Sequence, residues 1–293
     1  MDIPSGVLEI VASYLVKPKM KLLYWIPLDK LDWDYLSANP NAIHLLQQNM
    51  DKIDWNNLSS NPNAIHLLEK NIDKIDWISL SSNPNAIHLL EQNMDKINWY
   101  NLSLNSKGIH LLEQNMDKLN RLCLSQNPNA IHLLEQNIDK IDWWQLSTNP
   151  NAIHLLEQNI DEIDWNMLSS NPNAIHLLKQ KMNKINWSYL SKNPNAIHLL
   201  EQNIDKISWW QLSRNPNAIH LLEQNMDKID WTWFFTNPSI FEIDTKQLKL
   251  DIAEQAKIID GIIYEDLLPT LLEVSPVSGR NSESSIQNFL PHE

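Results

Sequence analysis

Apolar and polar positions along this chain follow a beat that returns every 22 residues. Tryptophan marks it at positions 33, 55, 77, 99, 143, 165, 187, 209 and 231, with Arg121 in the one missing slot. The octapeptide Asn-Pro-Asn-Ala-Ile-His-Leu-Leu follows it, with its first Asn at 39, 61, 83, 127, 149, 171, 193 and 215, and degenerate copies begin at Asn105 and Asn237. The full unit reads Trp-x-x-Leu-Ser-x-Asn-Pro-Asn-Ala-Ile-His-Leu-Leu-Glu-Gln-Asn-Met/Ile-Asp-Lys-Ile-Asp, and about ten copies cover residues 33 to roughly 245. A fixed short period of this kind is the signature of a solenoid, in which no unit buries its apolar face alone.

Within a unit the pattern predicts two helical pieces. In the copy at Asn39, Asn is a good N-cap and Pro40 suits the first helical position, where its missing N–H is no loss. The helix is expected to run about ten residues to near Asn49, which takes the left-handed terminal conformation that glycine usually supplies. Ala42, Ile43, Leu45 and Leu46 fall on one arc of the helical wheel, with His44, Gln47 and Gln48 opposite. A shorter piece, partly 3₁₀, is expected over Trp33 to Ser37 with Asp32 as its cap. Trp55, Leu58, Ile65, Leu68 and Ile75 then pack between equivalents in neighbouring units. The predicted fold class is an all-α solenoid of about ten 22-residue repeats, each one α-helix plus a short α/3₁₀ helix, closed off by helical caps. At helix spacings of ~8–10 Å the array is expected to be an open, curved superhelix, an arc on the order of 90 Å long.

The ends depart from the beat. Residues 1–31 are expected to form an N-terminal helical cap, with Leu22 to Trp33 a half-unit leading into the array at 32–245. Residues 246–268 read as a C-terminal capping helix, with Leu248, Ile252, Ala256, Ile259 and Ile263 at helical spacing, and 269–293 as a flexible tail. One unit is irregular: Asn105-Ser106-Lys107-Gly108 replaces Asn-Pro-Asn-Ala, and Arg121 stands for the next Trp. Either it is drift in a redundant array or it is a hinge.

Composition narrows the function. The chain has 293 residues, 23 Lys+Arg against 36 Asp+Glu and a formal charge of -13, which argues against nucleic acid as the partner. A single cysteine, Cys123, excludes an internal disulfide framework and fits a reducing compartment. The apolar run Val7 to Val16 is too short to span a bilayer, so neither membrane association nor secretion is expected. Four glycines in the chain leave no room for a Gly-rich phosphate loop. Nine of ten histidines lie on the beat, from His44 to His220, and seven stand three residues before a Glu, as in His66/Glu69. A row spaced by helix packing brings at most two imidazoles to one ion, so no metal site is assigned. Carboxylates recur in every unit, which leaves no unique acid–base pair, and no catalytic motif occurs. The expectation is a non-enzymatic protein without a cofactor.

Specificity is expected where units differ. The two residues after each Trp vary, as do residues before the capping Asn, and repetition sets such positions in a row along one face. Six of the slots hold aromatic residues of the kind enriched at binding hot spots: Tyr35, Tyr100, Trp144, Tyr189, Trp210 and Trp233. These are the candidate partner-binding residues, the alternative being that they are unconstrained or enlarge the core between repeats.

The unit Trp-x-x-Leu-Ser-x-Asn-Pro-Asn-Ala-Ile-His-Leu-Leu-Glu-x-Asn resembles the tandem-repeat proteins of giant viruses of the mimivirus type. That resemblance spans nearly the whole chain and brings no catalytic residues with it. It implies expression in an infected amoebal host, in the cytoplasm, the virus factory or the virion. The N-terminal run Ile3-Pro4-Ser5-Gly6-Val7-Leu8-Glu9-Ile10-Val11-Ala12-Ser13-Tyr14-Leu15 resembles the opening of an F-box, which implies docking on a Skp1-type subunit of a cullin ubiquitin ligase. Gly6 stands where an F-box usually has Glu, and the run is shorter than the complete element. The simpler reading is a cap over the first repeat. The expected partner is thus a protein, and an array with free ends leaves room for a homo-oligomer.

Overall fold

The structure, a computed structural model, describes residues 4–136 and 138–262. Residues 263–293, which include the expected flexible tail and the end of the expected capping helix, lie outside the described residues. The chain divides into two units, one of residues 20–242 and one holding the two chain ends, 1–19 and 243 onward.

The larger unit is built as an all-α repeat array whose regular repeat contains three helical pieces; in the repeat at Trp99 a plain turn at 115–118 replaces the third. In the first full repeat these are a helix at Trp33–Ala38, a second at Ile43–Gln47 and a 3₁₀ turn at Met50–Lys52. Asp32 caps the first helix as expected, its carboxylate accepting from the Asp34 and Tyr35 N–H groups. Asp54, Asp76, Asn98, Asn120, Asp142 and Asp164 cap the next six in the same way. Leu36, Ala42 and Leu46 and their equivalents are fully buried and form one continuous core, with each Trp packed at its edge.

Two local expectations are corrected. The second helix starts at Ile43, not Pro40, because Asn39 closes a tight turn: its Oδ1 accepts from the Asn41 N–H and its carbonyl from the Ala42 N–H. The helix is accordingly one to two turns long. At its end Asn49 has φ -137° and ψ 53°, a conformation neither left-handed nor fully extended, held by its own Nδ2 donating to the Leu45 carbonyl at 2.9 Å. A side-chain bond here does the work of a glycine.

The same buried Asn is the main bracket between repeats. Asn61 Nδ2 donates both hydrogens backward, to the carbonyls of Ser37 and Asn39, each at 2.9 Å. With Oδ1 bound to the Asn63 N–H, every hydrogen-bonding group of the amide is used inside the core. The motif recurs at Asn83, Asn105, Asn127, Asn149, Asn171, Asn193, Asn215 and Asn237. A parallel ladder joins each buried Ser to the next cap, as in Asp54 N–H to Ser37 Oγ at 3.0 Å and Asp76 N–H to Ser59 Oγ at 3.0 Å.

The array closes on itself. Asn39, in the first repeat, donates to the carbonyls of Phe235 and Asn237 in the last, both at 2.9 Å, as Asn61 does to Ser37 and Asn39. Asn41 Nδ2 likewise reaches the Pro238 carbonyl at 2.9 Å, as Asn63 reaches that of Pro40. The expected open arc with exposed ends is therefore replaced by a ring of ten repeats. Its curvature has a visible cause. First helices of successive repeats pack side by side, whereas second helices pack mainly on their own repeat's other pieces. The closer-spaced first helices form the inner side, and each repeat turns about 36° of the circle.

The tenth repeat is composite. Its first helix (Trp231–Phe234) and Asn237 turn come from the C-terminal side, but the chain then leaves as a strand, β2 (Phe241–Ile243). The N-terminal side supplies the rest: strand β1 (Met20–Leu22), which pairs with β2, and a 3₁₀ turn at Leu28–Lys30. Lys30 lies 5.2 Å from the Trp231 ring, matching Lys52 over Trp33 at 4.5 Å in a continuous repeat. Phe235 replaces the buried Ser at this seam, and Trp25, Trp231, Phe234 and Phe235 pack together where the Ser-to-cap bond would stand. Tyr24 adds a hydroxyl bond to Glu223 at 3.0 Å. The half-unit at Leu22 to Trp33 is thus the missing half of the last repeat rather than a cap on the first.

The irregular unit does not interrupt this ring. Asn105 and Asn127 make the same paired bonds as their neighbours, at 2.9–3.0 Å, so no break marks a hinge. The smaller unit is a helix pair: Ser5–Leu15 packs on Thr245–Ile262 through Leu8, Ala12 and Ala256, with Ile252 and Ile259 beside them. Lys19 and Asp251 form an ion pair at 3.0 Å within it.

Candidate functional site

The variable positions separate into two registers on the first helix of each repeat. Tyr100, Trp144 and Trp210 follow their Trp directly and are exposed, at 56%, 49% and 45%, in a row that also holds Ile78 and Leu122. Helical spacing turns this position away from the buried Leu two residues on. Tyr35, Tyr189 and Trp233 sit one residue later and are half-buried. The six sequence-predicted residues therefore do not form one patch: three stand out in the first register and three lie in the second.

The second register was not distinguished from the first by the sequence reading, and it carries its own cluster. Tyr35 packs edge-on against Trp233, ring centroids 5.5 Å apart, across the seam. The Arg214 guanidinium lies 4.4 Å from the Trp233 ring, and Lys192 Nζ 5.2 Å from that of Tyr189. Lys192 and Arg214 occupy the last position of this register, before the Asn brackets of adjacent repeats. Partial burial, and the repulsion of Arg214, lower the Lys192 pKa from its ordinary value.

The histidines pair between repeats, not within them. His88 Nε2–H donates to Glu69 of the preceding repeat at 2.9 Å, and His110, His132, His154, His176 and His220 do the same. A carboxylate only accepts, which fixes the donating tautomer of a neutral ring. The pairs are half exposed, so each contributes little to stability. The Lys-over-Trp contacts, at 4.4–5.1 Å in seven continuous repeats, form a further row. Cys123 is buried in the fifth repeat; burial pushes its thiol pKa up, and a hydrogen bond with Tyr100 partly offsets that.

Among the described residues, no group of three or more His, Cys, Asp or Glu is placed to hold a metal ion, and no helix is long and apolar enough to cross a membrane. Searches among curated proteins and among solved structures gave no match. A family model described as periplasmic copper-binding protein (NosD) matches residues 30–213, which lie almost wholly in the repeat array. The donor set does not fit copper: nitrogen and sulfur donors must converge on one point, whereas six imidazoles of the row are each bound to a single carboxylate, two bond Gln side chains, and the one cysteine is buried. The match nonetheless spans well over half of the chain, and by it the chain belongs to the NosD family.

Proposed function

We propose that the chain is a non-enzymatic protein-interaction scaffold of a giant virus, acting in the host cytoplasm or the virus factory. The observation that carries the reading is the exposed row of Ile78, Tyr100, Leu122, Trp144 and Trp210 on a framework whose other positions barely change. Large apolar side chains displayed at the same position in four consecutive repeats, Ile78 to Trp144, and again at Trp210 give a partner a set of regularly spaced anchors, and a closed ring holds them with little ordering cost on binding. Copper binding, the property in the family's description, is not part of this proposal, because the donors do not converge. The test is partner capture from infected amoebae by the full chain and by the Tyr100→Ala/Trp144→Ala/Trp210→Ala variant. Loss of the captured protein with an unchanged circular dichroism spectrum supports the reading. Undiminished capture by the folded variant overturns it.

A second reading has its own observation. The N-terminal helix Ser5–Leu15 exposes Val7, Ile10, Val11, Tyr14 and Leu15 while packing through Leu8 and Ala12. An apolar helix face of this kind suits a partner groove, and it supports a substrate receptor that docks a Skp1-type subunit. Ile10→Asp/Leu15→Asp abolishes co-purification of ligase subunits if that reading holds. A structural role in the virion predicts instead that the protein is abundant in purified particles.

A further inference from the structure

We propose that Lys192 and Arg214 form a binding site for a phosphate group on the second register of the first helices. The proposal does not depend on the scaffold reading.

The register from which these cations project is chemically distinct. It comprises the second and fifth residues after each Trp, from Tyr35/Ala38 to Trp233/Thr236, and it contains no Asp or Glu in a chain that has 36 of them. Its two cations stand in adjacent repeats at the same position. Neither has an ion pair among the described residues, although carboxylates elsewhere in the molecule are paired with Lys or His. Each is instead held against an aromatic face, Lys192 on Tyr189 at 5.2 Å and Arg214 on Trp233 at 4.4 Å. Trp233 is itself fixed by Tyr35 at 5.5 Å across the seam.

A guanidinium lying over a ring can present its N–H edge to a ligand, in the fork geometry that takes two oxygens of a phosphate, although at Arg214 the Tyr35 phenol also acts on the group. Two like charges brought together without a counter-charge repel; burial is the main cause of the lowered Lys192 pKa, and the neighbouring Arg214 charge lowers it further. A dianion between them relieves that repulsion, and the absence of acidic side chains in the register leaves nothing to compete with it. Lys192 is half-buried and Arg214 exposed, so the attraction is strengthened relative to open solvent chiefly at the lysine. The chemistry asks for a phosphate, whether free or carried on a phosphorylated peptide.

The test is titration of the full-length protein with inorganic pyrophosphate, and separately with a phosphoserine peptide and its unphosphorylated form, at constant ionic strength, followed by calorimetry. Saturable binding of either phosphate probe is expected, at least tenfold weaker in Lys192→Gln and in Arg214→Gln. Arg214→Lys should restore only part of the loss, since it keeps the charge but not the fork. Lys107→Gln, which removes a cation bonded to Asn85 elsewhere on the ring, should bind like the parent. A response to pyrophosphate alone assigns a free phosphate, and a stronger one to the phosphopeptide assigns a modified protein. No saturable binding, or binding equally weakened by Lys107→Gln, overturns the proposal.

Discussion

If the ring is closed, Asn39 is an interior residue despite standing in the first repeat, and its removal should cost as much as removal of an Asn in the middle of the array. Asn39→Ala deletes two donations to the Phe235 and Asn237 carbonyls and one acceptance from the Asn41 N–H, all at 2.9 Å and all from a fully buried side chain. The Asn237 carbonyl keeps a long bond from the Ile240 N–H at 3.4 Å, so it is only partly orphaned. Leaving a buried polar group unpaired costs ~1–3 kcal/mol. With one carbonyl fully and one partly stranded, and an N–H that relaxes toward solvent at the turn, the sum is about 2–4 kcal/mol. Asn149→Ala removes the same three bonds in the sixth repeat and sets the scale. Urea unfolding of both variants beside the parent gives the comparison. Equal shifts in midpoint support closure. A shift at Asn149 with none at Asn39 would refute it, since an array end frays without loss and an exposed Asn is worth only a few tenths of a kcal/mol.

Further outcomes follow from the same geometry. Asn149→Asp should be worse than Asn149→Ala in urea unfolding, because it sets a carboxylate against two carbonyls that need donors. Gly108→Ala restores the residue found at this position in eight repeats, and its Cβ meets the Leu102 side chain, 2.7 Å from Cδ1 and 3.2 Å from Cγ, with Asn105 Cβ in ordinary contact at 3.4 Å. Leu102 can move as its equivalents beside Ala do, so the midpoint should rise by the equivalent of ~0.5–1 kcal/mol. Cys123 should react slowly with a thiol reagent until the chain is unfolded. Because burial raises its pKa, the unfolded thiol ionises first as pH rises. Its contribution to stability is therefore full below about pH 8.5 and declines above it, which the pH profile of Cys123→Ala against the parent measures.

Much of the repeat was legible, and the ring was legible in part. Period, caps and apolar arc are local properties, and Asp32, Leu36 and Leu46 fulfil them. Closure depends on how much each repeat turns, which follows from the unequal spacing of inner and outer helices, a quantity that no single unit displays. Two signals were nevertheless present. The half-unit from Leu22 to Trp33 and the truncated last copy ending at Ile243 add up to one repeat. The bracket Asn is Asn in all ten copies, whereas the helix cap varies among Asp54, Asn98 and Ser208. A cap needs only an acceptor, so it tolerates Asp or Asn, and at Ser208 the side-chain bond is absent; a residue that must donate twice and accept once within a core needs a carboxamide, at the short reach of Asn. Asn39 does accept the cap-type bond from the Asn41 N–H, but reading it as a cap alone overlooked its two donations. The split of the aromatic candidates into exposed and half-buried registers arises from the one-residue offset between Tyr100 and Tyr35 relative to their Trp. On a helix that offset is a 100° turn, enough to move a side chain from the exposed row to the half-buried cluster.

The most direct test of the closed ring is a distance across its seam. Spin labels at Asp34→Cys and Thr232→Cys, both exposed positions directly after a Trp, in a Cys123→Ala background, report the separation of the first and last repeats. Labels at Asn56→Cys and Ile78→Cys, in two consecutive repeats, serve as the ruler. The ring predicts the same short distance distribution for both pairs, set by a helix spacing of ~8–10 Å plus the label arms. A seam distance of many tens of ångströms, approaching an arc length on the order of 90 Å, would contradict closure.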